Sequence, residues 1–175
     1  MDMMEIRHRM LMKPTKSGGV ETYLCRNYSP NDNKFSYTIE GISLSNGDYI
    51  EISANTAACY KNNENIISIG ENIADWTGYH FHCYYAHSSG ALQVNALGPS
   101  TYNRFQPTIP GNEVIIRIDK DGFSYNGTYW SQSGQAQYSN LMSHLLTVSN
   151  LSVGSQEGNT RFYGTYNYIK WVKAI

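Results

Sequence analysis

An all-β fold, a two-sheet antiparallel sandwich, is what the sequence predicts, and three observations carry that expectation. Turn signals recur along the chain: Asn46-Gly47, Ser88-Ser89-Gly90, Lys120-Asp121-Gly122 and Asn126-Gly127 each separate short runs of β-branched and aromatic residues. No long segment carries the three-to-four residue periodicity of an amphipathic helix. Tyr and Gly each occur 15 times while charged residues make up only 15% of the chain, a composition suited to strands, tight turns and neutral hydrogen-bonding surfaces. At 175 residues the chain suits one domain, which at this size buries about two-thirds of its unfolded surface.

Residues 1–33 are punctuated by Lys13-Pro14, Ser17-Gly18-Gly19 and the run from Ser29 to Asn33, and read as an extended N-terminal arm with one strand around Val20 to Leu24. Its methionines, Met3, Met4, Met10 and Met12, need apolar cover, so the arm is expected to pack across the sandwich or to dock on a partner. Residues 34–175 read as the sandwich itself. Ser36 to Leu44 and Asp48 to Ser53 flank Asn46-Gly47 as a hairpin, and Tyr79 to Ala86 and Ala91 to Leu97 flank the Ser-Ser-Gly turn. Val114 to Asp119 and Phe123 to Tyr125 form the next pair, and Tyr125 to Trp130 straddles Asn126-Gly127. Tyr138 to Leu146 is expected to hold a short helical turn. Leu151, Val153 and Gly154 then end one run, and Phe162, Gly164, Tyr166 and Tyr168 alternate along the last, with a polar turn between.

The ending Leu151-x-Val153-Gly154, followed by Phe162-x-Gly164-x-Tyr166-Asn167-x-Ile169-x-Trp171, resembles the closing strands of concanavalin A-like (laminin G-like, pentraxin-like) jelly rolls. Tyr166 stands where that family usually has Ile, and Asn167 where it often has Asp. The segment from Glu113 to Trp130 is similar to the family's strand, Asp-Gly turn, short strand and Asn-Gly turn. With Glu64 to Gly70 added, the likeness spans residues 35–173. It implies a jelly-roll sandwich and a place among lectins, glucanases and the decoration modules carried on phage tails, fibres and capsids.

A formal charge of -1 provides no basic field for phosphates, so no nucleic-acid partner is expected. The one basic cluster, Arg7, His8, Arg9, Lys13 and Lys16, reads as a solvated arm. Cys25, Cys59 and Cys83 have no Cys-x-x-Cys spacing and read as reduced, buried residues, with Cys83 in the core between aromatics. No apolar run approaches the roughly 20 residues of a membrane span, and the start lacks the apolar stretch of a signal peptide. The expectation is a protein made in the cytoplasm, with no membrane partner, that reaches its ligand on a virion surface.

Chemistry concentrates in Tyr79-His80-Phe81-His82-Cys83-Tyr84-Tyr85. On a strand His80, His82 and Tyr84 share one face, while Tyr79, Phe81, Cys83 and Tyr85 share the other, which is read as the core side. The His-x-His pair is read as exposed or stacked histidines in a polar groove rather than a zinc or copper site, and Asp119 and Asp121 as a turn rather than a calcium cage; no metal or cofactor is expected. A glycan face needs flat aromatics beside groups that bond hydroxyls. The candidates are Asp75 and Trp76 before the histidine strand, His80, His82 and Tyr84 on it, Tyr102 and Arg104 in a loop, and Tyr129 and Trp130 after a turn.

Hydrolysis is the enzymatic alternative, but the Glu-x-Asp-x-x-Glu arrangement of the family's glucanases is absent. Glu40, Glu51, Glu64, Glu71, Glu113 and Glu157 are dispersed, with Glu51 lacking a spaced carboxylate partner. No nucleophile elbow or phosphate-cradling loop occurs. The expected partners are a glycan or host surface polysaccharide and a virion protein held through the arm, with homo-oligomer formation open. A purely structural decoration protein and a glycoside hydrolase stand as alternatives.

Overall fold

The computed structural model describes residues 13–14, 19–30, 36–72, 77–98, 101–105, 111–120, 122–131, 143–154 and 161–175. The strands are β1 (Lys13–Pro14), β2 (Gly19–Tyr28), β3 (Ser36–Glu40), β4 (Tyr49–Asn55), β5 (Asn62–Asn72), β6 (Thr77–Ala86) and β7 (Ala91–Gly98). They continue with β8 (Thr101–Phe105), β9 (Glu113–Asp119), β10 (Gly122–Tyr125), β11 (Thr128–Ser131), β12 (Asn150–Gly154) and β13 (Thr165–Ala174). The described strands form two antiparallel sheets, the first in the order β1-β2-β13-β4-β9-β10-β11 and the second in the order β3-β12-β5-β6-β7-β8. The fold is the expected all-β sandwich.

Local turn chemistry explains the hairpins. Gly90, at φ 57°, closes β6 onto β7 after a 3-10 turn over His87–Ser89. Asn126 and Gly127, at φ 45° and 82°, supply the two left-handed residues that a tight β10–β11 hairpin requires. Asn46-Gly47 behaves differently from the sequence expectation. The same left-handed glycine, at φ 88°, ends a 3-10 turn over Leu44–Asn46, but β3 pairs with β12 in the second sheet and β4 with β13 and β9 in the first. The glycine turns the chain between sheets rather than within a hairpin. In the same way β12 and β13 lie in opposite sheets. Residues 143–145 form a helical turn inside the expected stretch, whose earlier residues 138–142 lie outside those described.

The arm expected over residues 1–33 needs correction where it is described. Gly19–Tyr28 is a ten-residue strand that pairs with β13 from Tyr166↔Tyr28 to Ala174↔Gly19, so it belongs to the first sheet. It contains the expected strand at Val20 to Leu24. Residues 1–12 lie outside the described set.

The core is the space between the inner faces. Ile50, Ile52, Ile116, Ile118 and Phe123 from the first sheet meet Ile67, Ile69, Phe81, Leu92 and Val94 from the second, all without solvent exposure. Each such side chain contributes about 1.5–3 kcal/mol of burial. Phe81 and Phe123 touch across the sandwich with ring centroids 5.2 Å apart. The fully buried Tyr166 hydroxyl donates to the Ile66 carbonyl of the opposite sheet, so one polar group crosses the core already satisfied. Cys25, Cys59 and Cys83 are buried free thiols, as expected.

Candidate functional site

Antiparallel register aligns side-chain positions across the second sheet. His82 lies opposite Ser68 on β5 and Asn95 on β7, and Asn95 lies opposite Arg104 on β8. One step along, His80 lies opposite Gly70 and Leu97, and Leu97 opposite Tyr102. A third row joins Asn65, Tyr84 and Gln93. Because Phe81, Cys83 and Ile69 fill the core, these rows are positions of the outer face. Tyr102 and Arg104 therefore sit on a strand, not in the loop expected for them, and in rows with the two histidines.

Access to the histidines contradicts the expectation. His80 and His82 are fully buried and Tyr84 is nearly so, although they face away from the core. The rings form a stack, His80 to His82 at 5.5 Å and His82 to Tyr84 at 6.0 Å with a 5° interplanar angle. His82 Nδ1 is 2.9 Å from the Ser68 hydroxyl, which also accepts from Asn65 Nδ2 at 3.1 Å. Burial first, and the neighbouring His80 second, push the His82 pKa down to about 3, so its imidazole is neutral at ordinary pH. A neutral ring can bond a hydroxyl, which is its use here; the buried Ser68–His82 pair leaves no surface at which an acyl substrate could reach the hydroxyl.

Of the other sequence candidates, the two that are described belong to the opposite sheet. Tyr129 and Trp130 lie on β11 at the far edge of the first sheet, registered opposite Ser124 and Phe123. Asp75 and Trp76 lie outside the described residues. Asp119, weighed above for calcium, is buried and held by Arg117 Nε at 2.9 Å, while Asp121 is not described.

The outer face of the first sheet carries a cluster that sequence reading missed. Lys170 lies 2.8 Å from Glu21 and 3.0 Å from Glu51, so Glu51 does have a carboxylate neighbour, supplied by a strand assigned to the arm. Tyr23 donates to Glu21 and Tyr168 to Glu51, each at 2.8 Å. The Lys170 hydrogen bond is the main influence holding Glu21 below the usual carboxylate range. Burial works against the Lys170 charge, yet its bonds to Glu21 and Glu51 raise its pKa above the ordinary lysine value. Such a carboxylate is a poor general acid, since that role requires a raised pKa. Glu64 is equally committed: fully buried, it accepts the backbone N–H groups of Tyr60, Lys61 and Tyr163, each at 2.8 Å.

Around this ion cluster, Tyr23 and Tyr168 meet edge to face at 5.9 Å, and the Arg26 guanidinium lies 3.5 Å from the Tyr23 ring centroid. Arg117 covers Tyr49 in the same way at 3.7 Å. The only sequence signal for this face was the period-two spacing of Tyr166 and Tyr168, and it misleads. β13 shifts register against β4 between Tyr166 and Tyr168, so Tyr166 fills the core while Tyr168 joins the outer cluster.

No family model matches the sequence, and no curated protein matches it. Solved structures with a similar fold include the CBM40 module of the Ruminococcus gnavus IT-sialidase bound to α2,6-sialyllactose, at 18% identity and a TM-score of 0.42, covering 78% of this chain and 91% of that one. The Caenorhabditis elegans galectin LEC-6 is similar at 13% identity and a TM-score of 0.39, covering 87% and 91%. The carbohydrate esterase vb_24B_21 of the Shiga toxin-encoding bacteriophage phi24B is similar at 8% identity and a TM-score of 0.44, covering 95% and 88%.

Proposed function

We propose that this protein is a non-enzymatic glycan-binding module whose ligand lies on the outer face of the second sheet. The observation that supports this reading is the register row of Ser68, His82, Asn95 and Arg104 across neighbouring strands, polar residue types at every position, with Tyr102 one row away. Those are residue types that bond sugar hydroxyls beside an aromatic ring. Since His80 and His82 have no exposed surface, the proposal assigns the glycan contacts to the neighbouring register positions of Asn95, Tyr102 and Arg104. Asp75 and Trp76, just ahead of β6, complete the candidate set.

Single sites of this kind are weak, and display in many copies raises their avidity. The virion surface expected from the sequence is such a setting and belongs to this proposal. A glycan-array screen of the multivalent protein tests it. Saturable binding that falls at least tenfold in Arg104→Ala and Tyr102→Ala, with the fold intact, is the expected outcome. A folded protein that binds no glycan on the array moves the protein to the structural decoration role.

A further inference from the structure

We infer that the outer face of the first sheet carries a second saccharide site, selective for a carboxylate-bearing sugar and built by Tyr23, Arg26, Asn27, Asn167 and Tyr168. These residues line a shallow depression of about 330 Å³. Small-molecule sites start at about 300 Å³, so the depression suits a single sugar unit. It lies where β2 and β13 run side by side and the ladder is irregular on both flanks of Tyr168, between Ile169 and Lys170 against β2 and between Tyr166 and Tyr168 against β4. Asn27 adopts φ 47°, a left-handed conformation that few residues other than glycine and asparagine tolerate. Bulges of this kind re-aim side chains, and they recur beside functional sites.

Charge singles out this depression. Arg26 is exposed and stacked on Tyr23, and the nearby Glu21 carboxylate is already bonded to Lys170 and to the Tyr23 hydroxyl. Among the described residues no carboxylate lies within ion-pair distance of Arg26. Arg117 makes the comparison: it covers Tyr49 beside a depression of about 310 Å³, but its Nε is bonded to Asp119 at 2.9 Å. A third arginine–tyrosine pair, Arg161 over Tyr163 at 4.3 Å, lines neither depression; of the two pairs that do, only that of Arg26 is without a carboxylate at ion-pair distance among the described residues. A guanidinium already stacked on a ring loses little freedom when it grips a carboxylate through two parallel hydrogen bonds.

The remaining groups fit a sugar. Asn167 donates through Nδ2 to Ser53 Oγ and to Glu113 Oε2, both at 3.0 Å, which fixes the amide and leaves its carbonyl oxygen to accept from a hydroxyl. Tyr168 is fixed by its bond to Glu51, so the site is organised before a ligand arrives. An acidic peptide fits less well, because peptides commonly dock by extending an open sheet edge. Here β13 is flanked by β2 and β4, and β2 by β13 and β1. The site is on the opposite sheet from the face proposed above and stands or falls separately from it.

The test is a ¹⁵N-¹H chemical-shift titration of the full chain with sodium glucuronate, glucose and N-acetylglutamate at constant ionic strength. Glucuronate is expected to give saturable shifts at amides of residues 23–28 and 166–170, with affinity at least tenfold above either control. Arg26→Gln should lower that affinity at least tenfold and Arg26→Lys several-fold, with the rest of the amide fingerprint unchanged, whereas Arg104→Ala should leave these shifts in place. Absence of saturable shifts at those amides would falsify the site. So would an equal response to glucose, an equal response to N-acetylglutamate, an undiminished response in Arg26→Gln, or loss of the shifts in Arg104→Ala.

Discussion

His82 is polar, fully buried and uncharged, and these three properties together set how stability responds to acid. Its pKa is 6.5 when unfolded and about 3 when folded. Between these values the unfolded chain binds a proton that the folded one refuses. The stabilisation is therefore complete above pH 6.5 and is lost as pH falls toward 3, by about 1.4 kcal/mol per pH unit. Urea midpoints should fall from pH 6.5 to pH 5 by an equivalent of about 2 kcal/mol more in the wild type than in His82→Gln; parallel pH profiles would refute the assignment. Gly164 acts through volume. A Cβ there would collide with the Asn55 carbonyl oxygen and the Phe162 ring, where β13 begins its pairing with β4. Gly164→Ala should cost about 1–3 kcal/mol in a thermal melt, the range for overpacked cores, and an unchanged melting temperature would show that the Phe162 ring moves aside freely. The chemistry of these residues is legible in the chain: Gly164 stands in a closing motif, and His80 and His82 alternate with Phe81 and Cys83. Whether an outward-facing histidine meets water is not, because that depends on tertiary packing that its neighbours in sequence do not set.

At the scale of elements, β2 matters most. It pairs with β13 along its whole length, and it supplies both Glu21, one end of the Lys170 ion cluster, and Arg26. A chain truncated through Tyr28 would leave β13 with one open edge and Lys170 with one fewer carboxylate. Such a variant should lose its cooperative thermal transition or aggregate through the exposed edge. A melt matching that of the full chain would restore the boundary at residue 33 that composition suggested. Punctuation by Pro, Gly and Ser made the segment look like an arm, and those residues do mark its ends. Between them Val20, Thr22 and Leu24 are ordinary strand formers, and only the presence of β13 as a partner, more than 130 residues away in the sequence, turns the run into a sheet strand. The hairpins β6–β7, β9–β10 and β10–β11 were legible because their turns are short and their glycines or asparagines hold positive φ locally. The turn at Asn46-Gly47 has the same local chemistry but was misread as a hairpin, since a left-handed glycine reverses or redirects a chain without saying which sheet receives it.

For the molecule as a whole, the first and last long strands are neighbours and both sheets draw strands from early and late in the chain. Neither sheet can complete itself before the C-terminal strands arrive, so unfolding should be one transition seen equally by tyrosine fluorescence and far-ultraviolet circular dichroism. Refolding should take about milliseconds to seconds, as for other sandwiches dominated by distant pairings. Two separated transitions would mean that one sheet persists alone. The sequence by itself determined that this is a sandwich, where many of its strands and tight turns fall, and which chemical groups it offers a ligand, because alternation and positive-φ turns are properties of neighbouring residues. The tertiary structure alone decided which strands share a sheet, that His80 and His82 are buried, that Glu21 and Glu51 converge on Lys170, and that Arg26 stacks on Tyr23 with no carboxylate at ion-pair distance among the described residues. Those outcomes depend on register between distant strands, where a single bulge moves a side chain from the core to the outer face.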